Sequence, residues 1–329
     1  MSDTAMPAAA GSLPLRRWLA PACVMLCCAG LAWALAMVWG GSAATWAALK
    51  AIGAGTFVIG TAVCAVSLLL RFARWQFILS MLGHRLPLGF NLRVYLAGIA
   101  LSSTPGKLGE TLRSVLLLPR GVPVSRSLGA FLADRLSDAI AVAALGAVAA
   151  AVSGQRQPLL EAIAAVVLLG AAVIAHLLRR NPLQAPPSAA AAQPRWRVWF
   201  ARAQAPLRAW AAVWRGPRPL YFIAAAAVVY GVQALVFTTY VQQAAPAIDA
   251  ASGVAIFCSA TLIGAASLLP GGLGAMDSAL VLQLLSRGVP LPDAMAATLA
   301  VRASTLWFAW LVGFVSLASF GNLRPGRDA

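Results

Sequence analysis

The sequence predicts an all-α polytopic membrane protein, with about six full transmembrane helices plus two re-entrant broken-helix hairpins in an inverted repeat. Three observations predict it. The chain of 329 residues is 61% hydrophobic and 10% charged, far too apolar for an ordinary soluble domain. Several apolar stretches approach the ~20 residues a helix needs to cross a bilayer. Two apolar segments are broken by the same Pro-Gly-x-Leu-Gly core, at Pro105-Gly106-Lys107-Leu108-Gly109 and at Pro270-Gly271-Gly272-Leu273-Gly274.

Residues 1–15 are small and polar and read as a disordered N-terminus; 16–329 read as one transmembrane domain. Arg16 and Arg17 mark a cytoplasmic start, because Lys and Arg gather on the inner side of membranes. The run at 18–39 is too long for a signal-peptide core and reads as a retained first span. Residues 40–50 read as a short outer loop. A second span at 51–70 returns inward to Arg71, Arg74, His84 and Arg85. Segments 92–104 and 107–118 then flank Pro105-Gly106. About thirteen helical residues rise only ~20 Å, short of the ~30 Å hydrocarbon core. This predicts a hairpin that enters and leaves on the cytoplasmic side; two tilted spans are the alternative.

A full span follows at 128–152, carrying Asp134, Arg135 and Asp138, and another at 159–178. The loop 179–218 holds eight arginines and no acid, with tryptophans at approximately helical spacing. That pattern predicts a basic amphipathic helix in the inner interface, kinked at Pro206. A span at 220–240 leads outward, 254–269 and 272–285 form the second broken pair, and 294–320 returns the C-terminus to the cytoplasm. Repeat 1 thus covers about 51–152 and repeat 2 about 219–320. Their landmarks keep a near-constant spacing. Pro270 lies 165 residues after Pro105, while Gly288 and Arg302 each lie 167 after Gly121 and Arg135, so one two-residue insertion aligns them.

Charged side chains inside a membrane are rare and mark pathways or sites. Lys107, Glu110 and Arg113 are three apart and share roughly one helix face. Asp134 and Asp138 share a face, with Arg135 in reach of Asp138 to neutralise it, and Asp134 lies shallow enough for water to reach it. Asp277 and Arg302 complete the set. Together with the freed N–H groups at the helix breaks (Pro105, Gly106, Gly109, Pro270, Gly271, Gly272, Gly274), these groups predict a polar cleft able to hold an anionic headgroup. Glu110 and Asp277 are candidates for counter-ions or for carriers of coupling protons.

The formal charge of +16 reads as inner-loop arginine beside anionic lipid rather than as a nucleic-acid surface. Five cysteines lie in apolar segments, and the two histidines, His84 and His176, lie outside the repeated motifs. No metal, cofactor or catalytic site is expected, and no P-loop, His-Glu-x-x-His or Gly-x-Ser-x-Gly motif occurs. The chain is not expected to be an enzyme.

Residues 104–110 with Arg113, then Asp134-Arg135 and Asp138, then Pro270-Gly271-Gly272-Leu273-Gly274 with Asp277 and Arg302, resemble the lysylphosphatidylglycerol synthase transmembrane-region family, also called flippase-like membrane proteins. The resemblance implies a multi-pass protein of a bacterial-type inner membrane that moves lipids or lipid-linked molecules between leaflets. The chain ends at Ala329, without the large soluble domain in which the synthases' aminoacyl transfer would reside. The expected function is therefore lipid translocation, with membrane lipids as partners. An ion-coupled secondary transporter of a small solute is the alternative.

Overall fold

The computed structural model describes residues 42–101, 108–154, 158–180 and 195–320. The readings for the first span, the N-terminus, residues 102–107 and the C-terminus lie outside these. Every regular element among the described residues is helical. In chain order they are α1 (Ser42–Ile52), α2 (Ala54–Met81), α3 (Leu88–Leu101), α4 (Leu108–Leu117), α5 (Val124–Val152), α6 (Pro158–Arg180), α7 (Arg195–Val213), α8 (Arg218–Gln242), α9 (Ala250–Ala266), α10 (Ala275–Leu285), α11 (Leu291–Arg302) and α12 (Phe308–Phe320). A π-helical turn at Ala303–Trp307 joins the last two into one rod.

Among the described residues four helices are long and apolar enough to cross a membrane: Ala54–Met81, Val124–Val152, Arg218–Gln242 and Leu291–Ser319. Their outer faces are apolar. Val58, Ile59, Val66 and Leu69 of α2 are exposed, as are Leu235 of α8 and Leu311 and Val315 of α12. Stripes of this kind are a lipid-facing surface, not a water-facing one.

Three readings need correction. The expected outer loop at 40–50 contains α1, which packs on α11. The second span does not end at residue 70; α2 continues to Met81, so Arg71 and Arg74 lie inside it. The basic helix α7 is not broken at Pro206. It presses onto α5 at Gly129, where a Cβ would meet the Pro206 carbonyl oxygen at 2.8 Å. Trp210 and Val213 are accordingly buried in protein.

Both broken segments are short helical hairpins. α3 and α4 have 14 and 10 residues, and α9 and α10 have 17 and 11. At 1.5 Å per residue each arm falls short of a ~30 Å core. In the second hairpin Ser259 Oγ donates to Gln283 Oε1 at 2.7 Å. Nearer its tip, Gly264 faces Met276 and Gly272. The break itself is a 3₁₀ turn at Pro270–Gly272. Leu268 enters it at φ 55°, and Gly271 and Gly272 follow at φ 59° and 66°. Only glycine holds such angles cheaply. In the first hairpin Gly109, expected within the break, is instead the second residue of α4.

The hairpins are packed reciprocally. α3 lies on α12, and α9 lies on α5, so each first arm meets the span that follows the other hairpin. The spans that precede the hairpins, α2 and α8, pack on each other and run antiparallel. Gly60 lies under Tyr240 and Val236, Gln233 reaches Ser67 at 3.0 Å, and Arg74 reaches the Phe222 carbonyl at 3.3 Å. The contacts also extend the sequence repeat. Gly146 and Gly313 are 167 residues apart, the spacing of Arg135 and Arg302. A Cβ at Gly146 would lie 2.9 Å from Cys258 of α9; one at Gly313 would lie 2.7 Å from the Leu96 carbonyl of α3. Ser137 and Ser304, both fully buried, keep the same spacing. A side chain at Gly313 must displace backbone, and overpacking of that kind costs about 1–3 kcal/mol. Gly313→Leu is expected to lower the unfolding midpoint in detergent clearly more than Gly231→Leu, where a Cβ meets nothing closer than 3.7 Å.

Candidate functional site

Between the two hairpins lies a cavity of about 580 Å³. Its depth follows from the helices that line it. Arg71 is the eighteenth of 28 residues in α2, Arg135 the twelfth of 29 in α5, and Tyr230 the thirteenth of 25 in α8. All three sit near the middle of a span. Of the predicted residues, Arg113, Arg135, Asp138, Arg302, Gly271 and Gly272 line the cavity. Pro105, Gly106 and Lys107 lie outside the described residues. Glu110 is the third residue of α4, with its backbone alone described.

The largest charge cluster was only half visible beforehand. Asp134 is fully buried, so the expectation of water reaching it is wrong. Arg74, from α2, donates to Asp134 Oδ1 through Nε at 2.8 Å and through Nη2 at 2.6 Å. The same Nη2 also reaches Asp138 Oδ1 at 2.6 Å. Arg71 donates to Asp138 Oδ2 at 3.2 Å, and Tyr230 donates to that oxygen at 3.3 Å. Arg135 turns first to Asp134, at 2.7 Å, and lies 3.5 Å from Asp138. The expected Arg135–Asp138 pair is therefore the minor contact. Buried carboxylates in a membrane interior persist only with such partners. Arg71 and Arg74 were assigned to a loop because a first arginine after an apolar run reads as the membrane edge. The aspartates that hold them inside come from another helix.

Arg113 enters the cavity from α4 between two aromatic rings, 4.5 Å from the centroid of Trp75 and 4.6 Å from that of Tyr95. A desolvated guanidinium in such a position gains on the order of 1–2 kcal/mol. Gly98 makes the passage possible, since a Cβ there would lie 2.6 Å from Arg113 Nε. Asn91 anchors this wall by accepting from Trp75 Nε1 at 3.3 Å.

The second repeat supplies Arg302 and Asp277. Arg302 Nε lies 2.8 Å from Asp277 Oδ1, Nη2 donates to the Gly271 carbonyl at 2.8 Å, and Nη1 reaches Met276 Sδ at 3.3 Å. One side chain thus holds both sides of the helix break. Asp277 is the third residue of α10 and accepts from the Gly274 N–H at 2.8 Å, closing the helix N-terminus. It does not line the cavity. Asp277 follows Glu110 by 167 residues, and both are third in their helices, so the two acids occupy matching places.

A second cavity, of about 990 Å³, lies between α6, α9 and α10. Ser259, Gln283 and Ser286 line it, with Asp249 and Arg287 at the ends of its helices. Asp249 caps α9, accepting from the Ser252 N–H at 2.8 Å, and these bonds hold its carboxyl below the usual carboxylate range. The second hairpin forms a wall of both cavities. Among the described residues no cluster of three or more His, Cys, Asp or Glu side chains is placed to hold a metal ion.

The profile of one family, described as the lysylphosphatidylglycerol synthase TM region, matches residues 16–313, nearly the whole chain. The chain belongs to that family. Within the lysylphosphatidylglycerol synthase TM region, the matched segment contains both helical hairpins, the reciprocal glycines and every charged group of the central cavity. The chain is also similar to a UPF0104 membrane protein of Methanothermobacter thermautotrophicus, with 37% identity over 67 residues. That match spans a fifth of each protein.

Proposed function

We propose that this chain is an inner-membrane lipid translocase, moving a phospholipid, a terpenoid lipid or a lipid-linked molecule between leaflets. The observation that carries the reading is a cavity of about 580 Å³ at mid-span, lined by four arginines and flanked by two broken-helix hairpins. A headgroup occupies the cavity while its chains stay in lipid. In this reading the two hairpins are re-entrant, six full spans surround them, and both termini are cytoplasmic. The antiparallel α2–α8 pair and the reciprocal hairpin contacts support an inverted repeat, the arrangement secondary transporters use around a midplane site. The protein is not an enzyme, uses no cofactor and binds no nucleic acid; an ion or proton gradient, or the lipid gradient itself, drives movement.

The test is leaflet exchange of fluorescent lipids in proteoliposomes, comparing the native chain with a folded Glu110→Gln variant. Headgroup-selective exchange that the variant loses supports the translocase and places Glu110 in its path. Absence of exchange for every headgroup, with both proteins folded and a proton gradient imposed, overturns it in favour of the small-solute transporter.

A further inference from the structure

The second hairpin is a wall of both cavities, so whatever seats it decides how they communicate. Its seat is Gly271, in the helix break. Three side chains from the α11–α12 rod meet there. Arg302 donates to the Gly271 carbonyl at 2.8 Å. A Cβ on Gly271 would lie 2.8 Å from Leu306 Cδ1 and 3.3 Å from Trp310 Cζ2. All three side chains line the central cavity. They are spaced by four residues, and in a regular α-helix such a series drifts by about 40° at each step. The π-helical turn at Ala303–Trp307 lies between them. With hydrogen bonds from i to i+5, it takes more residues per turn and removes most of that drift. The three side chains stand in line over one glycine because this turn is π.

The first repeat holds the same stretch in another form. The positions matching Arg302, Leu306 and Trp310 are Arg135, Ala139 and Ala143, all inside the single α-helix α5. There Ser137 donates to the Ala133 carbonyl at 2.7 Å, four residues back. Its match Ser304, fully buried, reaches outward. Ser304 Oγ lies 2.9 Å from the Tyr240 hydroxyl of α8 and 3.0 Å from Thr61 Oγ1 of α2. Thr61 donates to the Phe57 carbonyl at 2.9 Å, and Tyr240 donates to the same oxygen at 3.3 Å. Three hydroxyls thus gather at one carbonyl and tie the turn to the two spans that precede the hairpins. Single π turns inside α-helices are rare and concentrate at functional sites.

We propose that Ser304 and Tyr240 are positioning residues that act on the second hairpin through Arg302. Their hydroxyl contact holds the turn in its π form, and that form seats Arg302, Leu306 and Trp310 on Gly271. When the contact breaks, Ser304 turns back to its own helix as Ser137 does, the turn relaxes to α-helix, and the hairpin is free to move between the two cavities. The part played in transport rests on the translocase reading; the latch itself rests on the geometry alone.

The experiment is hydrogen–deuterium exchange of the full chain in detergent, read by mass spectrometry over residues 268–276, 303–309 and 131–143. Tyr240→Phe keeps the ring against Phe57 and removes the hydroxyl. Amide exchange is expected to rise about threefold to tenfold over 268–276 and 303–309, the worth of one hydrogen bond, and to stay unchanged over 131–143. Thr239→Val removes an exposed hydroxyl bonded within its own helix and is expected to change none of the three. No rise over 268–276, or an equal rise in all three segments, overturns the latch. The same proteins are compared for leaflet exchange of fluorescent lipids in proteoliposomes. Faster exchange by Tyr240→Phe than by the native chain supports the latch as a gate, an effect that loosened packing alone does not produce. Equal or slower exchange overturns the gating role. Exchange of no headgroup by either protein, with the local rise in amide exchange present, keeps the latch and overturns the translocase instead.

Discussion

Arg74→Met is expected to be the most destabilising single substitution in the chain. It removes the guanidinium that reaches Asp134 and Asp138 at 2.6 Å each and leaves two buried carboxylates short of their shared partner. Breaking a buried ion pair from one side costs about 3–5 kcal/mol, because the surviving charge keeps its desolvation penalty and loses its partner. Arg71 and Arg135 remain and reduce the loss without replacing the bridge, since neither approaches both acids as closely. Denaturant unfolding in detergent measures the effect. The double variant Arg74→Met/Asp134→Asn is expected to recover part of the loss, and the cycle isolates the pair. Arg74→Lys is expected to recover little, because one ammonium cannot reproduce the forked donors. A loss below about 1 kcal/mol would match an exposed ion pair and would mean that water reaches the cluster.

Arg302→Gln is expected to produce the largest functional loss with the fold retained. Arg302 binds the Gly271 carbonyl on one side of the break and Asp277 on the other, and it forms part of the cavity wall. Glutamine can keep one hydrogen bond but not the charge. A hydrogen bond to a charged group is worth about 1.5–3 kcal/mol, so exchange of a bound headgroup is expected to slow about tenfold to a hundredfold. The fold is expected to survive because Asp277 is partly exposed, at 19%, and still accepts the Gly274 N–H. Lipid exchange in proteoliposomes, with the unfolding midpoint as control, separates the two effects. A matching collapse of both would make Arg302 a packing residue only.

What was legible in the sequence had local causes. Long apolar runs gave the four great helices, and Pro-Gly pairs gave the breaks, because bilayer thickness and backbone sterics act on contiguous residues. What was missed depended on partners far along the chain. Arg71 and Arg74 look like a membrane edge until Asp134 and Asp138, sixty or more positions later, are seen to face them. Gly146 and Gly313 are ordinary in apolar helices, which are rich in glycine; their meaning comes from the arm of the opposite hairpin pressed against each. The helix α1 was lost because Ser42–Ile52, with its small residues and one lysine, has the composition of a connecting turn. The sequence repeat alone does not place the two-residue insertion that separates the offset of 165 at the prolines from that of 167 at the acids. The matching third positions of α4 and α10 put it between the proline and the acid.

The two halves share their packing glycines, an arginine and an acid, but not the ionic cluster around Asp134 and Asp138. Gly146 matches Gly313, Ser137 matches Ser304 and Arg135 matches Arg302, yet the positions matching Arg74, Asp134 and Asp138 are Thr239, Val301 and Thr305. In a device whose halves were chemically alike, the inward-open and outward-open shapes would be mirror images of equal energy. Here one half carries a five-member ionic cluster and the other a single Arg302–Asp277 pair. In the proposed translocase the two shapes are therefore expected to differ in energy, with the empty protein resting in one of them and a bound ligand supplying the difference needed to reach the other.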